Sequence, residues 1–356
     1  MANAIGPGYR HTIIAMDRNF ECGSRLSGDV RWQALDVPVT KSHALSIGNL
    51  VRFRRLLGTL NPDLLVTYAW GALEWALVNR WCPLAPHVHF EDGFGPDESP
   101  ATQLRRRIYL RRIALGRKDM RVVVPSHTLW KIASESWGLT SQLLLMPNGV
   151  DCERFTPAAD RTSLRGLGLD LHDLVIGTVA ALRPEKNLAR LITAFAALGG
   201  EFEATLVLAG DGPEREALEK LAARLGVRHR TLFVGPVKQP EDLYRRFDIF
   251  AMSSDTEQMP ITLLEAMASG LPIVATEVGD IPLIVAAENR FLIEGCRDAR
   301  ALTEKLSILL ANPELRAGLG MRNRARACSE FELSKMVESH RALLTSMGRP
   351  PTQRAA

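Results

Sequence analysis

The sequence predicts an α/β protein built from two doubly wound, Rossmann-like domains. Three observations predict it. From position 174 onward, short apolar, β-branched runs alternate with longer amphipathic ones; the first half repeats that rhythm with weaker edges; and a stretch rich in Pro, Gly and polar residues, free of strand signal, separates the halves. Parallel strands need long crossovers, and helices of this length between strands supply them, giving a mainly parallel sheet covered on both faces. With 356 residues, 46% of them hydrophobic, the chain has enough apolar surface for two cores.

In the first half the strand-like runs are "HTIIAM" (11–16), "DLLVTYAW" (63–70), "PHVHFED" (86–92), "MRVVVPS" (120–126) and "QLLLMPNG" (142–149). Residues 1–152 are expected to form this domain, with "CERFTPAADRTSLRGLGLD" supplying the connection over 153–171. The second domain is expected over 172–332, with strands at 174–180, 204–210, 231–235, 248–253 and 272–278 and helices at 187–198, 213–226, 240–247 and 260–269. A last amphipathic run at 333–347 reads as a helix that packs back on the N-terminal domain.

Composition excludes several classes. Five scattered cysteines, Cys22, Cys82, Cys152, Cys296 and Cys328, show no C-x-x-C spacing and so no disulfide framework or structural zinc motif, which fits a reducing cytoplasm. No apolar run approaches the roughly 18 residues of a membrane span, and the start lacks a secretory signal's apolar core. The net charge of +4 calls for no nucleic acid. One cluster stands apart: "QLRRRIYLRRIALGRKDMR" (103–121) carries Arg105, Arg106, Arg107, Arg111, Arg112, Arg117 and Lys118 on a helical pattern. It reads equally as a solvated face or as a surface for anionic lipid.

Three loops of the second half have the chemistry of a ligand site, since open parallel sheets bind ligands beyond the carboxyl ends of their strands. "ALRPEKN" (181–187) puts Arg183 and Lys186 just before a helix, where cations join N–H donors in binding a diphosphate; each is alternatively a solvated loop residue. "AGDGPERE" (209–216) has a G-x-G, but Arg215 stands where a dinucleotide fingerprint needs its third glycine, so a tight turn explains Gly210 and Gly212 as well. "SSDTEQMPITLLEAMASG" (253–270) sets Glu257 and Glu265 on either side of Pro260, at the start of a short helix that Gly270 ends.

The segment from about Gly177 to Val285 resembles the donor domain of glycosyltransferase family 4, through "GTVAALRPEKN", "LVLAGDGPERE", "VGPV" and two glutamates separated by seven residues within "EQMPITLLEAMASGLPIVAT"; "MPNGVD" (146–151) is also typical. The resemblance implies the GT-B architecture, two Rossmann-like domains facing across a cleft, and a retaining enzyme. Such an enzyme moves a sugar from a nucleotide diphosphate sugar to an acceptor hydroxyl in polysaccharide, lipopolysaccharide or glycolipid assembly. It further implies that Glu265 accepts hydrogen bonds from the donor ribose and that Glu257 lies beside the transferred sugar. The backbone of Met259, Pro260 and Ile261 meets the distal phosphate and sugar, Val237 meets the base, and Arg183 and Lys186 neutralise the diphosphate. His89, in "HVHFEDG", matches a family histidine near the donor sugar, and a purely structural histidine is the alternative. No metal is expected, because the chain contains no Asp-x-Asp; no cofactor is expected beyond the donor substrate; and the partners are the nucleotide sugar, a glycan or lipid-linked acceptor and an anionic membrane face reached from the cytoplasm.

The chain departs from the family at Ala181, where relatives carry arginine, and at Asp92, where they carry a second histidine. The first strand–turn–helix unit expected before "HTIIAM" is not evident, so about 30 further residues are expected upstream, the size of one such unit. Without that unit the N-terminal domain is expected to be poorly stable. Two other functions fit the same residues: a nucleotide-sugar-binding protein without catalysis, and a GT-B sugar-nucleotide epimerase.

Overall fold

A computed structural model describes residues 2–39, 45–94, 98, 102–157, 174–295 and 298–349. The chain divides into two compact units, Met1–Met146 with Lys335–Ala356, and Pro147–Ser334.

The second unit holds six parallel strands: β7 (Leu174–Val179), β8 (Ala204–Ala209), β9 (Thr231–Gly235), β10 (Ile249–Met252), β11 (Ile273–Thr276) and β12 (Ile293–Glu294); the first unit contributes β1 to β6, given below. Their order is β12-β11-β10-β7-β8-β9. Side chains alternate across the sheet. Ile176, Leu206, Leu208, Ile249 and Val274 pack with Leu191, Ile192 and Phe195 on one face, while Val175, Val207, Phe250 and Ile273 pack with Leu263, Leu264 and Met267 on the other. Burial on both faces, unbroken over all six residues of β8, explains why every position there but Thr205 is apolar.

In the first unit, β3 (Leu65–Tyr68), β4 (His87–Phe90), β5 (Arg121–Val124) and β6 (Leu143–Leu145) form a parallel sheet in that order, and β1 (Arg10–Ile13) pairs in parallel with β2 (Arg31–Ala34) as a separate ribbon. Val122 and Val124 face one core with Leu73, Leu77 and Trp137, and Val88, Phe90 and Val123 face another with Leu343. The expected single sheet is therefore two, and among the described residues β1 and β3 each have one edge without a ladder partner. Strand β2 escapes sequence reading because all four of its residues are exposed and carry no inside–outside alternation.

The expected boundary at 152 also moves. Residues 147–157 run with the second unit. The Asn148 side-chain amide donates to the Met259 carbonyl at 2.8 Å, Val150 bridges to Glu332, and the Phe155 ring meets Tyr244 edge-on in its core. Of the expected connection, residues 158–171 lie outside the described residues. The last helix spans Leu333–Met347; within the first unit its His340 stacks on Phe90 at 5.3 Å and its Leu343 enters the core of β4 and β5.

Candidate active site

The second sheet runs β7, β8, β9 to one side and β10, β11, β12 to the other, so its strand order reverses between β7 and β10. The crevice beyond the carboxyl ends of those two strands is where such sheets bind ligands. The loop after β7 contains Arg183 and Lys186, and the loop after β10 contains Glu257.

The two loops are bonded to each other. Lys186 Nζ donates to Glu257 Oε1 at 2.6 Å, and the Ser254 hydroxyl donates to the same oxygen at 2.7 Å. Arg190, in the helix Leu188–Ala197, donates to the Asp255 carboxylate and to the Ser253 carbonyl, both at 2.7 Å; Asn187 Nδ2 reaches Asp255 at 3.0 Å. Asn187 takes a left-handed conformation, which its short polar side chain tolerates, and that side chain also accepts from Arg190 N at the head of the helix. Thr276, on β11, donates to the Ser254 carbonyl at 2.6 Å. The sequence reading missed Asn187, Arg190, Ser254 and Asp255. Their types are ordinary loop residues, and only the adjacency of β7 and β10 gives them a common task.

Pro260 opens the helix Ile261–Ala268, whose leading N–H groups have no intrahelical acceptor. Ile261 is exposed and Met259 buried. Glu265 lies one turn along, where the Tyr244 hydroxyl donates to its Oε2 at 2.7 Å. Burial raises the Glu265 carboxyl above its ordinary value, against the lowering effect of Tyr244 and of the Arg154 charge. Gly279 comes so close that a Cβ there would stand 2.3 Å from the Glu257 carbonyl, so its bare backbone walls the loop.

Arg183 is exposed and forms no ion pair with a described residue. Val237 lies apart, after the edge strand β9 and two strands away from β7. His89 sits within β4 of the first unit and is 0% exposed; its Nδ1 lies 2.8 Å from the Thr67 hydroxyl and its Nε2 3.5 Å from the Glu91 carboxylate.

The basic helix spans Arg105–Leu115 and does not present its cations as one face. Arg111 is 0% exposed; it bonds Glu98 at 3.2 Å and lies over the rings of Trp70 and Trp137. Arg107 also bonds Glu98, at 2.9 Å, Arg112 bonds the Ser136 carbonyl at 3.1 Å, and Arg117 pairs with Asp119. Arg105, Arg106, Arg112 and Lys118 are exposed. Among the described residues no helix is long and apolar enough to cross a membrane.

Comparison with known proteins agrees with this fold. The family described as "Glycosyl transferases group 1" matches residues 160–326, and "Glycosyltransferase Family 4" matches residues 5–154. A D-inositol 3-phosphate glycosyltransferase of Corynebacterium efficiens is 29% identical over 316 residues, covering 81% of this chain and 74% of that protein. A lipopolysaccharide core mannosyltransferase of Rhizobium meliloti is 28% identical over 226 residues, 60% of this chain and 64% of its own length. Among solved structures, HepE of Anabaena in complex with UDP and glucose superposes with a TM-score of 0.80 at 20% identity, over 96% of this chain and 94% of that one. Sucrose-phosphate synthase of Thermosynechococcus elongatus gives 0.77 at 21% identity, over 90% and 84%.

Proposed function

Because this chain belongs to glycosyltransferase family 4 and has its GT-B fold, we propose that its sugar transfer, which builds a glycan or glycolipid, proceeds with retention at the loops after β7 and β10. The observation that carries this reading is the pairing of Lys186 with Glu257 across the switch point of the sheet, with Glu265 one turn into the helix that follows. In the donor complex Lys186 and Arg183 face the diphosphate, and the leading amides of the helix Ile261–Ala268 add their N–H dipoles. Charge grows on the diphosphate as the glycosidic bond breaks, so fixed cations and amides stabilise the transition state more than the ground state.

Glu257 holds Lys186 in the free enzyme and turns to the sugar hydroxyls when the diphosphate takes the ammonium. Glu265, fixed by Tyr244, accepts from the ribose. The names of similar proteins, which include UDP complexes and a GDP-mannose-dependent enzyme, make UDP- and GDP-sugars the first donors to assay. Exposed Arg105, Arg106 and Lys118 support contact with an anionic membrane face, and co-flotation with anionic vesicles at low but not high salt tests it.

The decisive experiment is nucleotide diphosphate release from a panel of sugar nucleotides, with and without acceptor glycans. Release is expected for the wild type and not for Glu257→Gln, which should still bind the nucleotide. A wild type that binds nucleotide diphosphate yet releases none from any sugar would favour the binding-only reading. Lys186→Ala should weaken a nucleoside diphosphate far more than the free nucleoside, because its charge meets phosphate alone.

A further inference from the structure

The first unit has its own unexplained feature at the carboxyl ends of β3 and β4. Tyr68 ends β3, pairs in register with Phe90, and is 53% exposed although its ring stacks on Phe90 at 5.0 Å. Phe90 stacks in turn on His340, so Tyr68 is the open end of a pile of three rings anchored in the core. The next residue, Ala69, has φ 52° and ψ −175°, a region occupied almost only by glycine, and its N–H is tied to the Phe90 carbonyl at 2.8 Å. Such strain costs about 1–3 kcal/mol and concentrates at ligand sites. Beyond β4, Asp92 is exposed and makes no hydrogen bond or ion pair with a described residue.

We propose that Tyr68 and Asp92 form an acceptor subsite for a neutral sugar ring, with the C–H face of the sugar on the Tyr68 ring and its hydroxyls donating to the Asp92 carboxylate. This inference rests on the transferase reading above and adds the class of acceptor group. An anchored aromatic face with a free edge gives apolar contact at little entropic cost, and an unpaired carboxylate accepts strongly from hydroxyls.

Charge decides against a phosphate at this position. The Tyr68 phenol is pushed up to about 12, first by partial burial and then by the charge of Asp92, so the two groups feel each other. The Asp92 carboxyl is itself raised by partial burial and by neighbouring Glu91, against the opposite pull of His89 and His340. A phosphate would be repelled by the exposed Asp92 carboxylate, whereas a sugar hydroxyl supplies the missing donor.

The test is saturation-transfer NMR of the full chain with methyl α-glycosides of mannose, glucose and galactose, together with calorimetric titration of UDP and GDP. At least one glycoside should receive saturation at its ring protons. Tyr68→Ala should abolish the effect, Tyr68→Phe should keep it, and Asp92→Asn should weaken affinity about tenfold, the scale of one charged hydrogen bond. No transfer to any glycoside from the wild type, or equal transfer from Tyr68→Ala, overturns the subsite. The titrations separate the two readings: nucleotide binding with no Tyr68-dependent glycoside signal rejects the subsite alone, and absence of nucleotide binding rejects the donor site whatever the glycosides do. Tryptophan emission of each variant against urea confirms that the first unit is folded.

Discussion

Glu257 and Glu265 are eight positions apart, yet they differ in what their surroundings ask of them. Glu257 is tied to an ammonium and a hydroxyl, whereas Glu265 is opposed by burial and supported by one phenol. A carboxyl whose folded value is raised favours its protonated form on folding, so its contribution to stability is greatest in acid and is lost as pH rises through the folded value. Nucleotide binding needs the ionised acceptor and runs the other way: affinity should fall on acidification. Tyr244→Phe should move that fall to higher pH, since it removes a group that favours the ionised form, and Glu265→Ala should cost ~1–3 kcal/mol of nucleotide affinity at neutral pH. Calorimetric titrations over a pH series check both, and an unchanged affinity for Glu265→Ala removes its assigned role.

His87 gives a second residue-scale prediction. Its Nε2 lies 2.8 Å from the Thr67 hydroxyl, and burial, followed by the charge of His89, lowers it to about 3. A lowered histidine contributes stability that is complete above its unfolded value of 6.5 and is lost progressively as pH falls toward 3. Between pH 7 and pH 5 this one group should cost the first unit about 2 kcal/mol. The urea midpoint of tryptophan emission should drop over that interval, and a midpoint flat across it contradicts the neutral buried state.

At the scale of elements, the G-x-G after β8 was readable as a motif but its reason was not. A Cβ on Gly212 would stand 2.4 Å from the Leu182 carbonyl, and one on Gly210 would stand 1.9 Å from that of Ala180, with φ 131° besides. The Leu182 N–H bonds the Asp211 carbonyl at 3.0 Å, and Glu214 N bonds the Leu182 carbonyl at 3.0 Å. The glycines therefore let one loop lie against the loop that carries Arg183 and Lys186. Gly212→Ala must push backbone against backbone, and should destabilise the second unit by about 1–3 kcal/mol while weakening diphosphate more than nucleoside. Denaturant midpoints paired with the two titrations check this, and equal weakening of both ligands would mean that the loop is not displaced. The strands of the second unit were legible because burial on both faces demands unbroken apolar runs. Strand β2, exposed throughout, offered no such pattern.

At the scale of the molecule, the hydrophobic cores fall wholly within one unit or the other. All six tryptophans lie in the first. Tryptophan emission is thus a private probe of the unit with the candidate acceptor subsite, and circular dichroism reports on both. A nucleotide diphosphate at a hundred times its Kd should stabilise the second unit by about 2.7 kcal/mol, raising a transition seen by circular dichroism. The tryptophan midpoint should not move, and a shift in it of the same size would place the nucleotide in the first unit.

The sequence by itself determined the alternating α/β architecture, the two-part chain, and the Arg183, Lys186, Glu257 and Glu265 motifs, because periodic burial and helix-terminus chemistry are written locally. Tertiary structure alone decided which of these residues meet. The reversal of strand order between β7 and β10 brings Lys186 to Glu257 across 71 positions of chain. Burial turns His89 inward, Arg111 is drawn into a cage of Trp70, Trp137 and Glu98, and the pairing of β3 with β4 leaves Tyr68 and Asp92 facing solvent. Such outcomes depend on which strands become neighbours, a long-range choice that no local window of sequence contains.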